Sequence, residues 1–176
     1  MKKTAAYFIT IIIILSAFLG LSACSDKTVP DGMQTASGPN DAFNLYVPKG
    51  WSVNTSGGTA SAFYTSSDRS NVSMTSIMTE GGFQTLDDYQ NSIESSLAGV
   101  LPSYEKTSDF ADTQLAGKNA RMFDYACSLD GINYRYRQVF CVRSGYFYVF
   151  TYTSTADNFE LHLDDVSKIL SEVTFK

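Results

Sequence analysis

Two tight-turn signals constrain the fold of this chain more than any other feature of its sequence. The dipeptides Asp130-Gly131 and Ser144-Gly145 each stand between apolar runs of alternating character. Such dipeptides favour the two-residue turns that join neighbouring antiparallel strands. We therefore predict three consecutive antiparallel strands, over residues 120–129, 132–142 and 146–153.

The register set by these turns gathers arginines on one face of the predicted sheet. Arg135, Arg137 and Arg143 alternate along the middle strand, and Asp124 and Tyr152 fall opposite Arg137 on its two neighbours. One interpretation is a binding surface for a carboxylate, a phosphate or an acidic peptide, formed by Arg135, Arg137, Tyr152 and Asp124. The other, which we favour, is that Asp124 pairs with Arg137 while the other arginines cover aromatic rings or meet acids of a covering helix.

Periodicity along the rest of the chain predicts further strands and two helices. Thr85-Leu86-Asp87-Asp88 has the form of a capping box and opens an amphipathic helix that ends near Gly99. A second helix is predicted over residues 157–171. Further strands are predicted over residues 43–47, 59–65, 71–79, 104–114 and 173–175.

Three segments carry a family resemblance: FNLYVPKGW at residues 43–51, INYRYRQVFCVRSGYFYVFTYTS at 132–154 and SKILSEVTFK at 167–176. With the element order, they resemble the PsbP-like family, which includes many uncharacterised bacterial lipoproteins. The resemblance covers residues 42–176 and implies an α+β fold, an antiparallel sheet flanked by helices in an α/β/α sandwich. It implies no common catalytic residues.

The N-terminus has the three parts of a bacterial lipoprotein signal. Lys2 and Lys3 precede an apolar stretch over residues 5–19, and Leu21-Ser22-Ala23-Cys24 follows as a lipobox. We predict that residues 1–23 are a signal peptide and that Cys24 carries a diacylglyceryl anchor. The alternative is a chance cysteine at the end of an anchor helix. The prediction places the protein on the extracytoplasmic face of a bacterial cell membrane.

Charge restricts the partners of such a chain. Removing residues 1–23 takes away Lys2 and Lys3 but no acid, so the formal charge falls from −5 to −7. This balance argues against nucleic acid as a partner. Residues 24–41 contain no aromatic residue, and we predict that they are the lipidated Cys24 and a flexible tether with a reach of roughly 20–25 Å.

The remaining cysteines are predicted to be free. The strand register places Cys127 and Cys141 on opposite sheet faces, roughly 23 Å apart along the strands. A disulfide requires Cα atoms within about 7 Å, so we expect no disulfide and two thiols packed as small apolar groups.

Catalytic and metal-binding patterns are sparse. The single histidine, His162, lies at the margin of the second helix's apolar face, and a nucleophilic site would need it. No nucleophile-elbow, phosphate-loop or metal-ligand motif occurs. We therefore expect no catalytic residues, no metal site and no cofactor.

Three functions remain open. The first is a lipid-anchored extracytoplasmic binding or protein-interaction module without catalytic activity, whose partner is an envelope protein or a small acidic ligand. The second is an envelope-associated hydrolase that uses His162. The third is a structural adaptor of a membrane complex.

Overall fold

A computed structural model describes residues 28–54, 59–79 and 84–176. The predicted signal peptide and Cys24 lie outside these ranges. The described strands are β1 (Met33–Thr35), β2 (Phe43–Asn44), β3 (Tyr46–Pro48), β4 (Ser52–Asn54), β5 (Ala60–Phe63), β6 (Asn71–Met78), β7 (Glu105–Lys106), β8 (Ala111–Leu115), β9 (Lys118–Leu129), β10 (Ile132–Arg143), β11 (Tyr146–Thr155) and β12 (Thr174–Phe175). The helices are α1 (Leu86–Val100), a short 3₁₀ helix (Phe159–His162) and α2 (Leu163–Glu172).

An antiparallel sheet forms the centre of the molecule. Within the described ranges it runs in the order β4-β5-β6-β11-β10-β9-β7, and β8 pairs with β9 beside β7. The register predicted from the two turns is confirmed: Asp124 lies opposite Arg137, and Arg137 opposite Tyr152. Asp130 (φ 51°) and Gly131 (φ 80°) both take the positive φ that a tight hairpin turn requires.

Helix α1 covers one face of the sheet. The predicted capping box is present, since the Thr85 hydroxyl accepts a hydrogen bond from the Asp88 amide and the Asp88 carboxylate accepts from the Thr85 amide. The helix's apolar residues pack on a core of Phe123, Tyr125, Phe140 and Val149. This helix therefore closes the β9–β10 half of the sheet.

The opposite face is covered by α2, the 3₁₀ helix and the N-terminal strands. Phe159, Val166 and Ile169 are buried there against Val139, Cys141, Phe150 and Tyr152 of the sheet. With one helix on each face, the described chain is an α+β sandwich.

The predicted tether is wrong in its C-terminal part. Strand β1 pairs with β3, the Met33 side chain is 1% exposed, and the Ala36 amide donates to the Leu45 carbonyl at 2.7 Å. The fold therefore begins before Ala42, the predicted domain boundary. The segment is held by the burial of Met33 and Ala36 together with its pairing to β3, and neither forms a pattern in the sequence.

Three predicted elements are divided in the structure. Residues 43–47 form two strands, because β2 pairs with β12 whereas β3 pairs with β1. Residues 104–114 form β7 and β8, both paired with β9. The last helix begins as the 3₁₀ turn Phe159–His162 and continues as α2.

Helices in the described ranges are too short or too polar to cross a lipid bilayer.

Candidate functional site

The arginine face predicted from the register is present. At its centre, Arg137 and Asp124 form an ion pair with each other. Arg137 Nε lies 2.8 Å from Asp124 Oδ1, and its Nη2 lies 2.9 Å from Asp124 Oδ2. This two-point contact fits the planar guanidinium. Asp124 is 7% exposed, and its hydrogen bond raises the pKa of the Arg137 guanidinium. The pair joins β9 to β10.

The 3₁₀ helix covers the rest of this face. Arg135 Nη1 contacts Glu160 Oε1 at 2.7 Å, and the Arg135 guanidinium carbon lies 4.1 Å from the Phe159 ring centroid. The hydroxyl of Tyr152, which is fully buried, donates to the Phe159 carbonyl at 3.0 Å. The structure thus brings Arg135, Arg137, Asp124 and Tyr152 together, in the arrangement of the interpretation that we favoured: arginines engaged by an acid and an aromatic ring.

His162 lies on the same side of the sheet in a mostly buried cluster. Its Nε2 lies 2.8 Å from Asp68 Oδ2, and the His162 ring contacts Tyr64 and Trp51 at centroid distances of 4.3 and 6.2 Å. His162 is only 7% exposed. Among the described residues, no hydroxyl or thiol is hydrogen-bonded to His162.

The second carboxylate oxygen of Asp68, Oδ1, also accepts a hydrogen bond. Ser70 Oγ donates to Asp68 Oδ1 at 2.6 Å and lies 2.7 Å from Ser154 Oγ. Burial by itself raises the pKa of Asp68, but hydrogen bonds from Ser70 and His162 outweigh it and lower the pKa to about 2. Asp68 therefore stands between Ser70 and His162, so the histidine is not placed to activate that serine.

A groove at one end of the sheet has a different character. We call it the hairpin-end groove, because it lies beside the turns that join β8 to β9 and β10 to β11. Its volume is about 830 Å³. It is lined by Asn44, Tyr46, Ala116, Gly117, Lys118, Arg143, Ser171, Val173, Thr174, Phe175 and Lys176.

Three lining residues are cationic and none is acidic. The ladder pairs Cys141 with Ala120, and its continuation brings Arg143 and Lys118 to facing positions on adjacent strands. Neither has a described carboxylate oxygen within 4.0 Å. Lys176 Nζ donates to the carbonyls of Gly38 and Pro39 at 3.1 and 3.2 Å. Among the described residues, Arg143 and Lys118 of this groove therefore have no ion-pair partner, although the chain is acidic.

Sequence reasoning found the arginine face, singled out His162 without its partner Asp68, and missed the hairpin-end groove. Asp68 and His162 are 94 residues apart, and Asp68 lies in a polar turn with no periodic pattern. The hairpin-end groove assembles residues of β2, β3, β9, β10 and the C-terminal segment. The facing of Arg143 and Lys118 was the one available signal, since it follows from the predicted register.

The remaining candidates for chemistry in the described ranges are metal ligands and thiols. No three His, Cys, Asp or Glu side chains converge there. Cys127 and Cys141 are buried free thiols, and burial raises the pKa of Cys141 to about 11. That thiol therefore stays protonated and unreactive at neutral pH.

Comparisons with known proteins bear on the fold. No sequence-family profile matches the chain, and no curated protein matches it in sequence. The chain is similar in structure to the cyanobacterial PsbP protein (CyanoP) of Synechocystis, with a TM-score of 0.59, 14% identity and coverage of 89% of this chain and 99% of that one. It is also similar to LpqN of Mycobacterium tuberculosis, a protein involved in cell envelope biogenesis, with a TM-score of 0.54, 13% identity and coverage of 82% and 90%.

A third similar structure is the Saccharomyces cerevisiae Ran-binding protein Mog1p. Its TM-score is 0.57 at 7% identity, over 81% of this chain and 95% of that one. Likeness at such low identity concerns the backbone and does not extend to residue roles. The resemblance noted in the sequence is thereby confirmed for the architecture: the chain has a PsbP-like α+β fold.

Proposed function

We propose that this protein is a lipid-anchored extracytoplasmic binding module of a bacterial membrane, without catalytic activity, which engages its partner at the hairpin-end groove. The observation that carries the proposal is the contrast between this groove and the other polar clusters. Arg137 and His162 each have an internal carboxylate partner, whereas the groove presents Arg143 and Lys118 without one.

The arrangement around His162 argues against the hydrolase alternative. A histidine acting as general base has to reach the hydroxyl or thiol of a nucleophile. Here its Nε2 contacts Asp68, and aromatic rings of Trp51 and Tyr64 pack against the imidazole. These contacts suit a histidine that fastens the 3₁₀ helix to the turn before β6.

The similar structures give limited support to a binding role. LpqN is described as involved in cell envelope biogenesis and Mog1p as a Ran-binding protein. Both descriptions are compatible with a fold that presents surfaces to partners. A structural adaptor would be one form of such a module, in which the partner is another protein of a membrane complex.

The anchor is tested by metabolic labelling. The full chain is expressed in a bacterium with a labelled fatty acid, beside the variants Cys24→Ser and Cys127→Ser. We expect label in the wild type and in Cys127→Ser and none in Cys24→Ser. Equal labelling of all three, or label in none, would contradict a lipid anchor at Cys24.

The binding site is tested by photocrosslinking in living cells of the native host. A photoreactive benzoylphenylalanine replaces Ser171, an exposed groove residue, or Ser96, an exposed serine of α1 on the other face of the sheet. The two are matched, since each hydroxyl donates to a backbone carbonyl of its own helix. We expect a mass adduct from position 171 alone. Adducts at both positions, or at neither, would refute a binding role for this groove.

A further inference from the structure

We infer that the hairpin-end groove binds a phosphomonoester, with the phosphate between Arg143 and Lys118 and its organic part against Phe175. The inference rests on the proposed function and names the ligand class of the same groove. Four features carry it: an uncompensated pair of facing cations, a fixed guanidinium, nearby polar groups, and a volume larger than a free ion needs.

The facing cations are the first step. Arg143 ends β10 and Lys118 begins β9, and the antiparallel register places them opposite each other on one face. Like charges at directly opposed positions repel and destabilise a strand pair. With no described carboxylate within 4.0 Å of either, the repulsion is relieved when an anion lies between them. A dianion suits two cations better than a carboxylate with its single charge.

The Arg143 side chain is held in place by the C-terminal strand. Its guanidinium carbon lies 5.1 Å from the centroid of the Phe175 ring. Stacking on an aromatic face orients the planar fork and leaves its N–H groups free to donate. Lys118 is exposed and contributes a mobile point charge. Phosphate sites commonly combine an arginine that donates two hydrogen bonds to the phosphate with a lysine that acts as a point charge, and Arg143 and Lys118 provide this combination.

Polar groups around the two cations complete the donor set. Thr174 and Asn44 line the groove, and the Asn44 amide already donates to Thr174 Oγ1 at 3.0 Å. That hydrogen bond orients the Thr174 hydroxyl, whose hydrogen then points away from Asn44. The Ser171 hydroxyl, also in the lining, donates to the Lys168 carbonyl. The Lys176 ammonium is held nearby by its bonds to two carbonyls.

The size of the groove indicates more than an inorganic ion. Pockets that bury small organic ligands have volumes of about 300–1,000 Å³, and this one measures about 830 Å³. Phe175, which is half-buried, supplies apolar surface beside the cations, whereas Tyr46 is 4% exposed. A phosphate ion alone would leave the Phe175 side chain uncovered, whereas the organic part of an ester would cover it.

The test is calorimetric titration of the full chain in detergent with glycerol phosphate, inorganic phosphate and acetate at one fixed salt concentration. The variants are Lys118→Gln, Arg143→Gln and the control Lys49→Gln, which removes an exposed lysine outside the groove. We expect one saturable site for glycerol phosphate, weaker by about tenfold or more in both groove variants and unchanged in Lys49→Gln. Inorganic phosphate should bind more weakly, and acetate weakest.

Loss of the Arg143–Phe175 contact can destabilise Arg143→Gln, so the melting temperature is recorded for every variant. Lys118 is exposed, and Lys118→Gln decides the outcome by itself if Arg143→Gln unfolds. The inference is overturned if no ligand binds, if all variants bind alike, or if acetate or inorganic phosphate binds as tightly as the ester. Retention of the position-171 adduct with no ester binding would reject the ligand class and leave the proposed function standing.

Discussion

The contact between Arg137 and Asp124 shows what a single partly buried ion pair does in this sheet. The two side chains keep 20% and 10% of their exposed surface, so most of their hydration is lost on folding. Removing one partner leaves the other charge with little water and without its counter-ion, which costs more than the pair itself contributes.

A double-mutant cycle measures this coupling. We expect Asp124→Ala and Arg137→Ala each to lower the free energy of unfolding by about 2–3 kcal/mol, and the double variant to lose less than the sum of the two. Urea unfolding of the four proteins gives the coupling energy. A coupling of zero would mean that the two-point contact contributes nothing. The pair Lys106–Glu94 serves as a more exposed comparison, for which we expect a coupling of about 0–1 kcal/mol.

Asp68 should make stability depend on pH in the acid range. Its folded pKa of about 2 lies below the ordinary value of 3.8, so its contribution is complete above about pH 5 and is lost as the pH falls through 2. At most about 2 kcal/mol is involved. Urea unfolding at pH 5 and pH 2.5 should show this loss in the wild type and a smaller one in Asp68→Asn. Asp164→Asn, an exposed control on α2, should lose as much stability as the wild type. If Asp68→Asn also loses as much as the wild type, the hydrogen bonds of Asp68 to Ser70 and His162 do not contribute to stability.

At the level of elements, the hairpin turns determine how β9, β10 and β11 align. Gly131 has a φ of +80°, and a Cβ added there meets no atom within 4 Å. A side chain at this position is therefore opposed by backbone strain alone, at a cost of about 1–2 kcal/mol.

Gly131→Ala should therefore lower the free energy of unfolding by about 1 kcal/mol. Gly50→Ala is the matched control, because a Cβ added at Gly50 also meets no atom within 4 Å and Gly50 lacks a positive φ. Chemical denaturation of both variants provides the comparison. Equal effects would show that the turn conformation does not limit stability.

The sequence was informative where local rules determine the element. Alternation and a two-residue turn fixed the register of β9, β10 and β11, and the capping box fixed the start of α1 at Leu86. Strand β1 and the division of residues 43–47 into β2 and β3 were not predicted, because both depend on which segments pair: β1 with β3, and β2 with β12. The Arg137–Asp124 contact followed from register, whereas His162–Asp68 and the hairpin-end groove depend on tertiary packing.

At the level of the whole molecule, the N-terminal segment is part of the core. Met33 is 1% exposed and packs with the cluster that joins the sheet to α2. Met33→Ala should lower the free energy of unfolding by about 2–4 kcal/mol, as truncations of buried side chains do. Met78→Ala is the control, because Met78 is 52% exposed. Denaturation midpoints that shift equally in the two variants would contradict a structural role for β1.

The docking of β1 sets a limit on how far the domain can stand from a membrane. If Cys24 carries the proposed anchor, residues 24–32 alone connect the lipid to a strand fixed in the fold at Met33. Even fully extended, that connection spans no more than about 30 Å, roughly half of what a link ending at Asp41 would allow. The domain would then stay close to the lipid surface. A partner could bind the hairpin-end groove only if it too lies near the bilayer.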